Sequence, residues 1–237
     1  MSQPLDLSTD WHTHSTTSDG TATIAEMVEA AAARGVTRLH LTDHVRSSTT
    51  WLPDYVTAIA SHRGRTDVEL IAGVETKILD VSGSVDLPED LGGVDIVTVS
   101  DHQFPTRRGP VTPAEMARRI AAGEAHVADV VGDLVLATTR AVFCHERVVV
   151  GHVFSVLPKA GIPLSEVTAE MLRNLAAAVR AAGAVIEVNE RWRTPTFEQI
   201  RTLCSLGVEL VPSSDAHTAA AVAAWDYVAE AAHEIAP

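Results

Sequence analysis

The chain has 237 residues, of which 46% are hydrophobic and 21% charged, and its formal net charge is −13 at pH 7. This length and composition are typical of one folded domain with a buried core, so we expect a single domain over residues 1–237. The acidic charge repels phosphate backbones and argues against long nucleic acid as a partner.

The cysteines and the N-terminus indicate where such a protein would work. Cys144 and Cys204 match no pairing motif, which favours reduced thiols in packed positions. The opening residues MSQPLDLSTD lack the basic start and the apolar run of a signal peptide. No segment approaches the roughly 18 apolar residues of a membrane span. These features predict a cytoplasmic protein without a membrane partner.

Short runs of valine, isoleucine and leucine alternate along the chain with alanine-rich amphipathic stretches. We predict a strand leading up to His12 and further strands at residues 36–43, 68–79, 94–101, 147–153, 184–189 and 208–215. We predict helices at residues 22–35, 53–64, 112–131, 165–183, 194–207 and 218–235. The first helix has Thr21 or Thr23 as its N-cap, and the third has Thr112 as its N-cap before Pro113.

The repeated order of strand and helix predicts a parallel α/β fold, either an open doubly wound sheet or a closed barrel. No glycine-rich phosphate loop follows the first strand, which counts against a dinucleotide-binding open sheet. In a barrel, functional side chains gather at the carboxyl ends of several strands. The residues at those ends therefore distinguish the two alternatives.

Six of the seven predicted strands lead into histidine, aspartate or glutamate. These residues are His12, His14, Asp19, His44, Glu75, His102, His152, Asp215 and His217. In a barrel they would meet near the axis, and nitrogen and carboxylate donors without thiolate are typical of catalytic zinc, manganese or iron. Nine donors are too many for one ion. We therefore expect two or three divalent metal ions, with Glu75 as a shared bridging ligand.

The ordered motifs HTH…SDG, LTDH, GVE, a lone histidine at the next strand end, GH and SSDAH resemble those of the PHP (polymerase and histidinol phosphatase) family. The resemblance runs from about Asp10 to Thr218. It implies a distorted seven-stranded (β/α)7 barrel that binds up to three metal ions and hydrolyses phosphate esters. The sequence departs from the family at Trp11, where leucine is usual, and at Val153, where proline is frequent.

The same resemblance implies how the ligands divide among the ions. It places His12, His14, Glu75 and Asp215 at one ion, Glu75, His102 and His152 at a second, and Asp19, His44 and His217 at a third. Glu75, Asp215 and His217 are the candidate catalytic residues. Asp43 and Asp101 precede ligand histidines and are interpreted as residues that orient ligands, and His40 as a core or orienting residue.

These features predict a metal-dependent phosphohydrolase that cleaves a small phosphomonoester or a short phosphodiester, with a metal-bridging hydroxide as the nucleophile. The alternative is an amidohydrolase-like metal hydrolase acting on a non-phosphate substrate, since such barrels also begin with two histidines two residues apart. They usually use a bridging lysine, whereas Glu75 stands at that position here and Lys77 follows two residues later. A non-catalytic metal barrel would be marked by missing ligands, and none is evident.

Arginines close to the strand ends are candidates for binding the substrate's phosphate, because the planar guanidinium can pair with two phosphate oxygens. They are Arg46, Arg107, Arg191 and Arg193, and the segment NERWR after the sixth strand is the best candidate. The alternative is that these arginines only pair with surface carboxylates. Trp51 and Trp192 lie in similar loops, where each either stacks on a substrate ring or packs against its own loop.

Overall fold

The computed structural model describes residues 5–235, so the first four residues of the N-terminal segment discussed above, and the last two of the chain, lie outside it. Nine strands lie in the described part: β1 Thr9–Asp10, β2 Arg38–Leu41, β3 Glu69–Lys77, β4 Ile96–Ser100, β5 Phe104–Thr106, β6 Gly109–Val111, β7 Val148–Gly151, β8 Val185–Asn189 and β9 Leu210–Ser213. Eight α-helices accompany them: α1 Ile24–Ala33, α2 Leu52–His62, α3 Pro113–Ala121, α4 Val127–Ala141, α5 Val156–Lys159, α6 Ala169–Ala182, α7 Phe197–Ser205 and α8 Tyr227–Glu234. None of these helices combines the length and the hydropathy that crossing a bilayer requires.

Seven of the strands form one parallel sheet that curls into a nearly closed barrel. The strand order is β1-β2-β3-β4-β7-β8-β9, and every ladder in it is parallel. The two edges meet where the chain leaves β1: Trp11 N–H donates to the carbonyl of Pro212 in β9 (3.1 Å), and His14 N–H donates to that of Ala216 beyond β9 (2.8 Å). The predicted seven-stranded barrel is therefore confirmed, and the open sheet is excluded.

The barrel interior is apolar towards the amino ends of the strands. Ile71, Ile96, Val149 and Val211 are buried there and pack together against Trp11. A second and larger apolar cluster, which includes buried residues of the strands and of α1, α2, α4, α6 and α7, lies between the sheet and the helices. These two clusters stabilise the barrel and leave the carboxyl ends of the strands free for polar side chains.

Threonines set the starts of several helices. Thr23 accepts the N–H of Glu26, whose carboxylate in turn accepts the N–H of Thr23, so these two residues form a capping box on α1. Thr21, the alternative candidate, instead donates its hydroxyl to the carbonyl of His217 (3.1 Å). Thr112 caps α3 as the sequence predicts.

The predicted helix over residues 112–131 is in fact two helices. Gly123 takes a left-handed φ of 71° between them, which a continuing helix does not allow. The second helix, α4, begins at Val127 and continues past the predicted end to Ala141.

Before α3, the chain forms the antiparallel hairpin β5–β6, in which Pro105 pairs with Pro110. The sequence pattern did not predict this hairpin, because proline weakens any strand signal.

The predicted helix over residues 218–235 is shortened to α8. Ala223 N–H donates to Asp10 Oδ2 (2.9 Å), which holds the preceding segment against the barrel. The carboxylate of Glu190 accepts the N–H groups of Asp226, Tyr227 and Val228 at the start of α8. The beginning of this helix thus depends on a residue far away in sequence, which a periodic pattern does not reveal.

Candidate metal centre

All nine predicted ligands lie together at the carboxyl ends of the barrel strands. Five of them are at most 4% exposed and form the floor of the cluster: His12, His14, Glu75, His152 and Asp215. The other four are 19% to 53% exposed and form its rim: Asp19, His44, His102 and His217. The fold thus brings together residues that are up to 205 positions apart in the chain (217 minus 12).

Glu75 is the centre of this cluster. Its Oε1 lies 3.1 Å from His102 Nε2 and 3.0 Å from His152 Nε2. Its Oε2 lies 2.8 Å from His44 Nδ1, 3.4 Å from His12 Nε2 and 3.5 Å from the corresponding atom of His14. Burial alone would raise the pKa of the carboxyl, but the surrounding imidazoles hold it well below its usual range. An ionised carboxylate with histidines at both oxygens has the arrangement expected of a bridging ligand.

Asp215 and its neighbours occupy the next corner of the cluster. Its Oδ1 lies 3.4 Å from His14 Nε2 and 3.3 Å from His217 Nδ1. Its other oxygen accepts the indole N–H of Trp192 (2.8 Å). Asp215 has a φ of 52° and His152 one of 24°, values that side-chain-bearing residues rarely adopt. Such backbone strain clusters at functional sites, where the surrounding structure imposes it.

The loop that follows His14 brings Asp19 to the rim. Asp19 Oδ2 lies 3.4 Å from His44 Nε2, and Oδ1 lies 3.4 Å from His217 Nε2. Gly20 allows the loop to fold back, because a Cβ there would lie 2.2 Å from the carbonyl oxygen of His14. Asp43 accepts hydrogen bonds from the backbone and hydroxyls of Ser15 and Ser18 and so fixes this loop.

The donors of this cluster fit divalent metal ions. Three groups of them have their donor atoms within 4.8 Å of one another: His14, Asp19, His44 and His217; His12, His14 and Asp215; and His44, Glu75 and His102. His12 Nε2 and His14 Nε2 face each other at 2.9 Å, and the buried Nδ1 of His14 has no hydrogen-bond partner. Imidazole and carboxylate donors in this arrangement suit zinc, manganese or iron. The ligand assignments and the number of ions stay predictions.

Glu187 is a buried residue beneath the cluster, and the sequence pattern did not predict it as part of the site. In β8 its carboxylate accepts hydrogen bonds from His12 Nδ1 (2.9 Å), Asn189 Nδ2 (2.7 Å), Ser213 Oγ (2.7 Å) and the backbone N–H of His152. Burial lowers the pKa of His12, but the carboxylates of Glu187 and Glu75 outweigh this effect and raise it. The available signal was a single glutamate in the apolar strand segment VIEVN, two residues before an inward-facing asparagine.

The residues interpreted as orienting ligands differ in their contacts. Asp101 accepts hydrogen bonds from His152 Nδ1 (3.1 Å) and Ser155 Oγ (2.9 Å), so it does contact a predicted ligand. His40 forms no hydrogen bond with a predicted ligand, because its ring is buried and both ring nitrogens lack partners. The ring packs against Trp11, with the two ring centroids 4.2 Å apart. His40 is therefore a core residue.

A cavity of about 740 Å³ opens above the cluster. Besides the rim residues, its walls include Arg46, Trp51, Lys77, Arg191 and Trp192. Lys77 Nζ lies 3.3 Å from Asp86, and Glu75 keeps the central position that a bridging lysine would need. Arg191 Nη1 lies 3.5 Å from Asp215 Oδ1 and also contacts the ring of His217.

The remaining two candidate arginines do not line this cavity. Arg107 is exposed in the turn of the β5–β6 hairpin. Arg193 is paired with Asp226 (2.9 Å) at the surface. Of the four arginines considered for the substrate's phosphate, the structure thus places only Arg46 and Arg191 at the cavity.

Comparison with known proteins agrees with this fold. The histidinol phosphate phosphatase from Lactococcus lactis subsp. lactis, in complex with zinc, L-histidinol and phosphate, superimposes with a TM-score of 0.67 at 18% identity, covering 95% of this chain and 90% of that one. A candidate histidinol phosphatase from Listeria monocytogenes gives a TM-score of 0.67 at 15% identity, covering 90% of this chain and 97% of the other. A search of curated proteins finds no match. The sequence model of the PHP domain matches residues 10–191, which is more than half of the chain, so the chain belongs to the PHP domain family.

Proposed function

We propose that this protein is a metal-dependent phosphoesterase that hydrolyses small phosphomonoesters or short phosphodiesters. The observation that carries the proposal is the cluster of histidine and carboxylate donors around Glu75 at the base of an open cavity with arginine in its wall. Membership of the PHP family supports it. The Lactococcus structure, which contains zinc, L-histidinol and phosphate, is consistent with it.

The residues that would hold the ions are those of the predicted cluster. His12, His14, Glu75 and Asp215 would hold one ion, Glu75, His102 and His152 a second, and Asp19, His44 and His217 a third. Bound divalent ions supply water that is activated at neutral pH and neutralise charge on the phosphoryl oxygens. We expect two or three such ions, of zinc, manganese or iron.

The chain's own groups would position the substrate. The guanidinium of Arg191 lies next to Asp215 and His217, where it can bind a phosphoryl oxygen as the phosphate reaches the cluster. Arg46 lies in the cavity wall and its side chain is exposed, so it can approach the same phosphate from another direction. Glu75 and Asp215, buried and held in the charged form by histidines, would keep the donor geometry fixed during turnover.

The proposal is tested by activity on aryl phosphates. Protein stripped of metal and then reconstituted with manganese or zinc should hydrolyse 4-nitrophenyl phosphate or bis(4-nitrophenyl) phosphate, and a chelator should abolish the turnover. Asp215→Asn should lower kcat/KM by roughly a hundredfold, because a direct ligand should matter at least as much as the residues that orient ligands, whose loss costs about 10- to 100-fold. Asp129→Asn, an exposed carboxylate on α4, is the matched control and should retain full activity. Absence of any chelator-sensitive turnover on both esters would overturn the proposal.

A further inference from the structure

Lys159 contacts Trp192, a residue of the cavity wall, and belongs to neither the predicted ligands nor the arginines considered above. It is the last residue of α5, the short helix that follows β7 and His152. Its Nζ lies 3.6 Å from the centroid of the Trp192 ring. The guanidinium carbon of Arg191 lies 5.6 Å from the same ring. Two cations thus share one aromatic residue of the cavity wall.

Trp192 is fixed in position by the cluster itself. Its indole N–H donates to Asp215 Oδ2 (2.8 Å), and its backbone N–H donates to Asn189 Oδ1 (2.8 Å). The side chain still has 37% of its surface exposed, and it lines the cavity. The indole of Trp192 therefore contacts both Asp215, through its N–H, and the ammonium of Lys159, through a cation–π contact.

The charge of Lys159 has no dedicated partner. Within residues 5–235 no carboxylate forms a salt bridge with it. Partial burial lowers the pKa of the ammonium, and the carboxylates that oppose this effect are Asp101, Asp215 and Glu75. All three belong to the predicted metal centre or support it. If they neutralise bound divalent ions, the positive charge of Lys159 is left uncompensated next to the cavity wall formed by Trp192, which favours an anion beside it.

We propose that Lys159, seated on Trp192, forms a second anion subsite next to the metal cluster, and that it binds a carboxylate or phosphate on the leaving group of the substrate. This inference rests on the proposed function, because the scissile phosphate would occupy the cluster and Arg191. It narrows the substrate class to phosphomonoesters whose alcohol carries a further anionic group about one aromatic ring away. A leaving group with only cationic groups would meet repulsion at this position.

Binding of non-hydrolysable phosphonates tests the subsite without relying on activity. Benzylphosphonate supplies one anion, whereas 4-carboxybenzylphosphonate and p-xylylenediphosphonate place a carboxylate or a second phosphonate across the ring. Isothermal titration of the metal-reconstituted protein should show roughly tenfold tighter binding of at least one dianionic probe than of benzylphosphonate, as one added charge-assisted contact provides. The tighter of the two probes identifies whether a carboxylate or a phosphate is preferred.

Variants of Lys159 assign the effect to this residue. Lys159→Met should remove the preference for the dianionic probe, while Lys159→Arg should keep most of it. Arg65→Met, which removes one exposed positive charge after α2, should leave the preference unchanged. If benzylphosphonate binds but the wild type shows no preference, or Lys159→Met retains it, the subsite is wrong and the proposed function stands. If no phosphonate binds the metal-loaded protein, both are overturned.

Discussion

Several predicted ligands share a feature that the sequence reveals: each is a polar side chain at or just beyond the carboxyl end of an apolar run. His12, Glu75 and Asp215 could be identified in this way because strand ends are marked by a change of polarity. Glu187 could not, since its role depends on which side chains the barrel places around it. Its contact with His12 joins two residues that are 175 positions apart in the chain.

Replacing Glu187 should weaken metal binding. In Glu187→Gln the amide nitrogen can only donate, so it faces the donors of His12, Ser213 or His152 and leaves at least one of them without an acceptor. The imidazole of His12 then loses the acceptor that fixes its orientation. We expect a loss in metal affinity of roughly 10- to 100-fold, measured by competition with a chelator of known affinity.

Glu209→Gln is the matched control, because Glu209 is exposed at the other end of the neighbouring strand and contacts no predicted ligand. It should bind metal as the wild type does. Equal affinities of the Glu187 and Glu209 variants would show that Glu187 does not orient His12.

His40 should make the protein sensitive to mild acid. Burial lowers the pKa of His40 to about 3, so the ring stays neutral in the folded protein while it titrates near its usual pKa once unfolded. Below about pH 6.5 the unfolded chain takes up a proton on His40 that the folded protein excludes. The contribution of the neutral ring to stability is therefore complete above about pH 6.5 and is lost progressively as the pH falls towards 3. Phenylalanine keeps the contact with Trp11 and cannot take up a proton.

The difference in unfolding free energy between His40→Phe and wild type should consequently shift in favour of the variant by about 2 kcal/mol between pH 7.5 and pH 5. Urea titrations at the two pH values measure this shift. If the difference in unfolding free energy between variant and wild type is the same at pH 7.5 and pH 5, His40 is not a neutral, buried residue.

At the scale of the elements, local signals predicted what local interactions determine. The cap of Thr112 was predicted, and Thr23 was one of two candidates for the cap of α1, since each cap is encoded within four residues. The start of α8 was not, because Glu190 supplies the acceptor from the loop after β8. The break at Gly123 was visible as a glycine, but the alanine-rich pattern on both sides of it favoured a continuous helix.

Glu190→Ala should destabilise the fold through α8. Three backbone N–H groups lose their acceptor at once, including that of the buried residue Val228. We expect a loss of about 1–2 kcal/mol in unfolding free energy. Glu89→Ala, an exposed carboxylate in a loop, removes the same charge and should change stability by less than about 0.5 kcal/mol. Equal stabilities of the two variants would exclude the cap.

At the scale of the whole molecule, the closed barrel turns a dispersed set of residues into one site. The strand–helix alternation predicted the parallel topology, and the polar strand ends favoured the barrel over the open sheet. The sequence could not predict the distances between donors in the cluster, the hydrogen bond from Trp192 to Asp215 or the contact of Lys159 with the Trp192 ring. These depend on how the loops fold over the strand ends.

Metal should stabilise the whole chain. Ions that bind the folded cluster and not the unfolded chain raise the free energy of unfolding, by about 4 kcal/mol when metal is present at a thousand times its Kd. We expect manganese or zinc to raise the melting temperature of metal-stripped protein, and a chelator to reverse this rise. A melting temperature that is the same with and without metal would mean that the cluster does not bind ions in the folded state.

We propose that the nine donors at the strand ends form a shared centre for several divalent ions. The decisive test is the metal content per chain, determined by inductively coupled plasma mass spectrometry on reconstituted and dialysed protein. We expect about two or three ions per chain, and one fewer in Asp19→Asn, whose carboxylate belongs only to the donor group formed with His14, His44 and His217. A wild-type value near zero would contradict the claim.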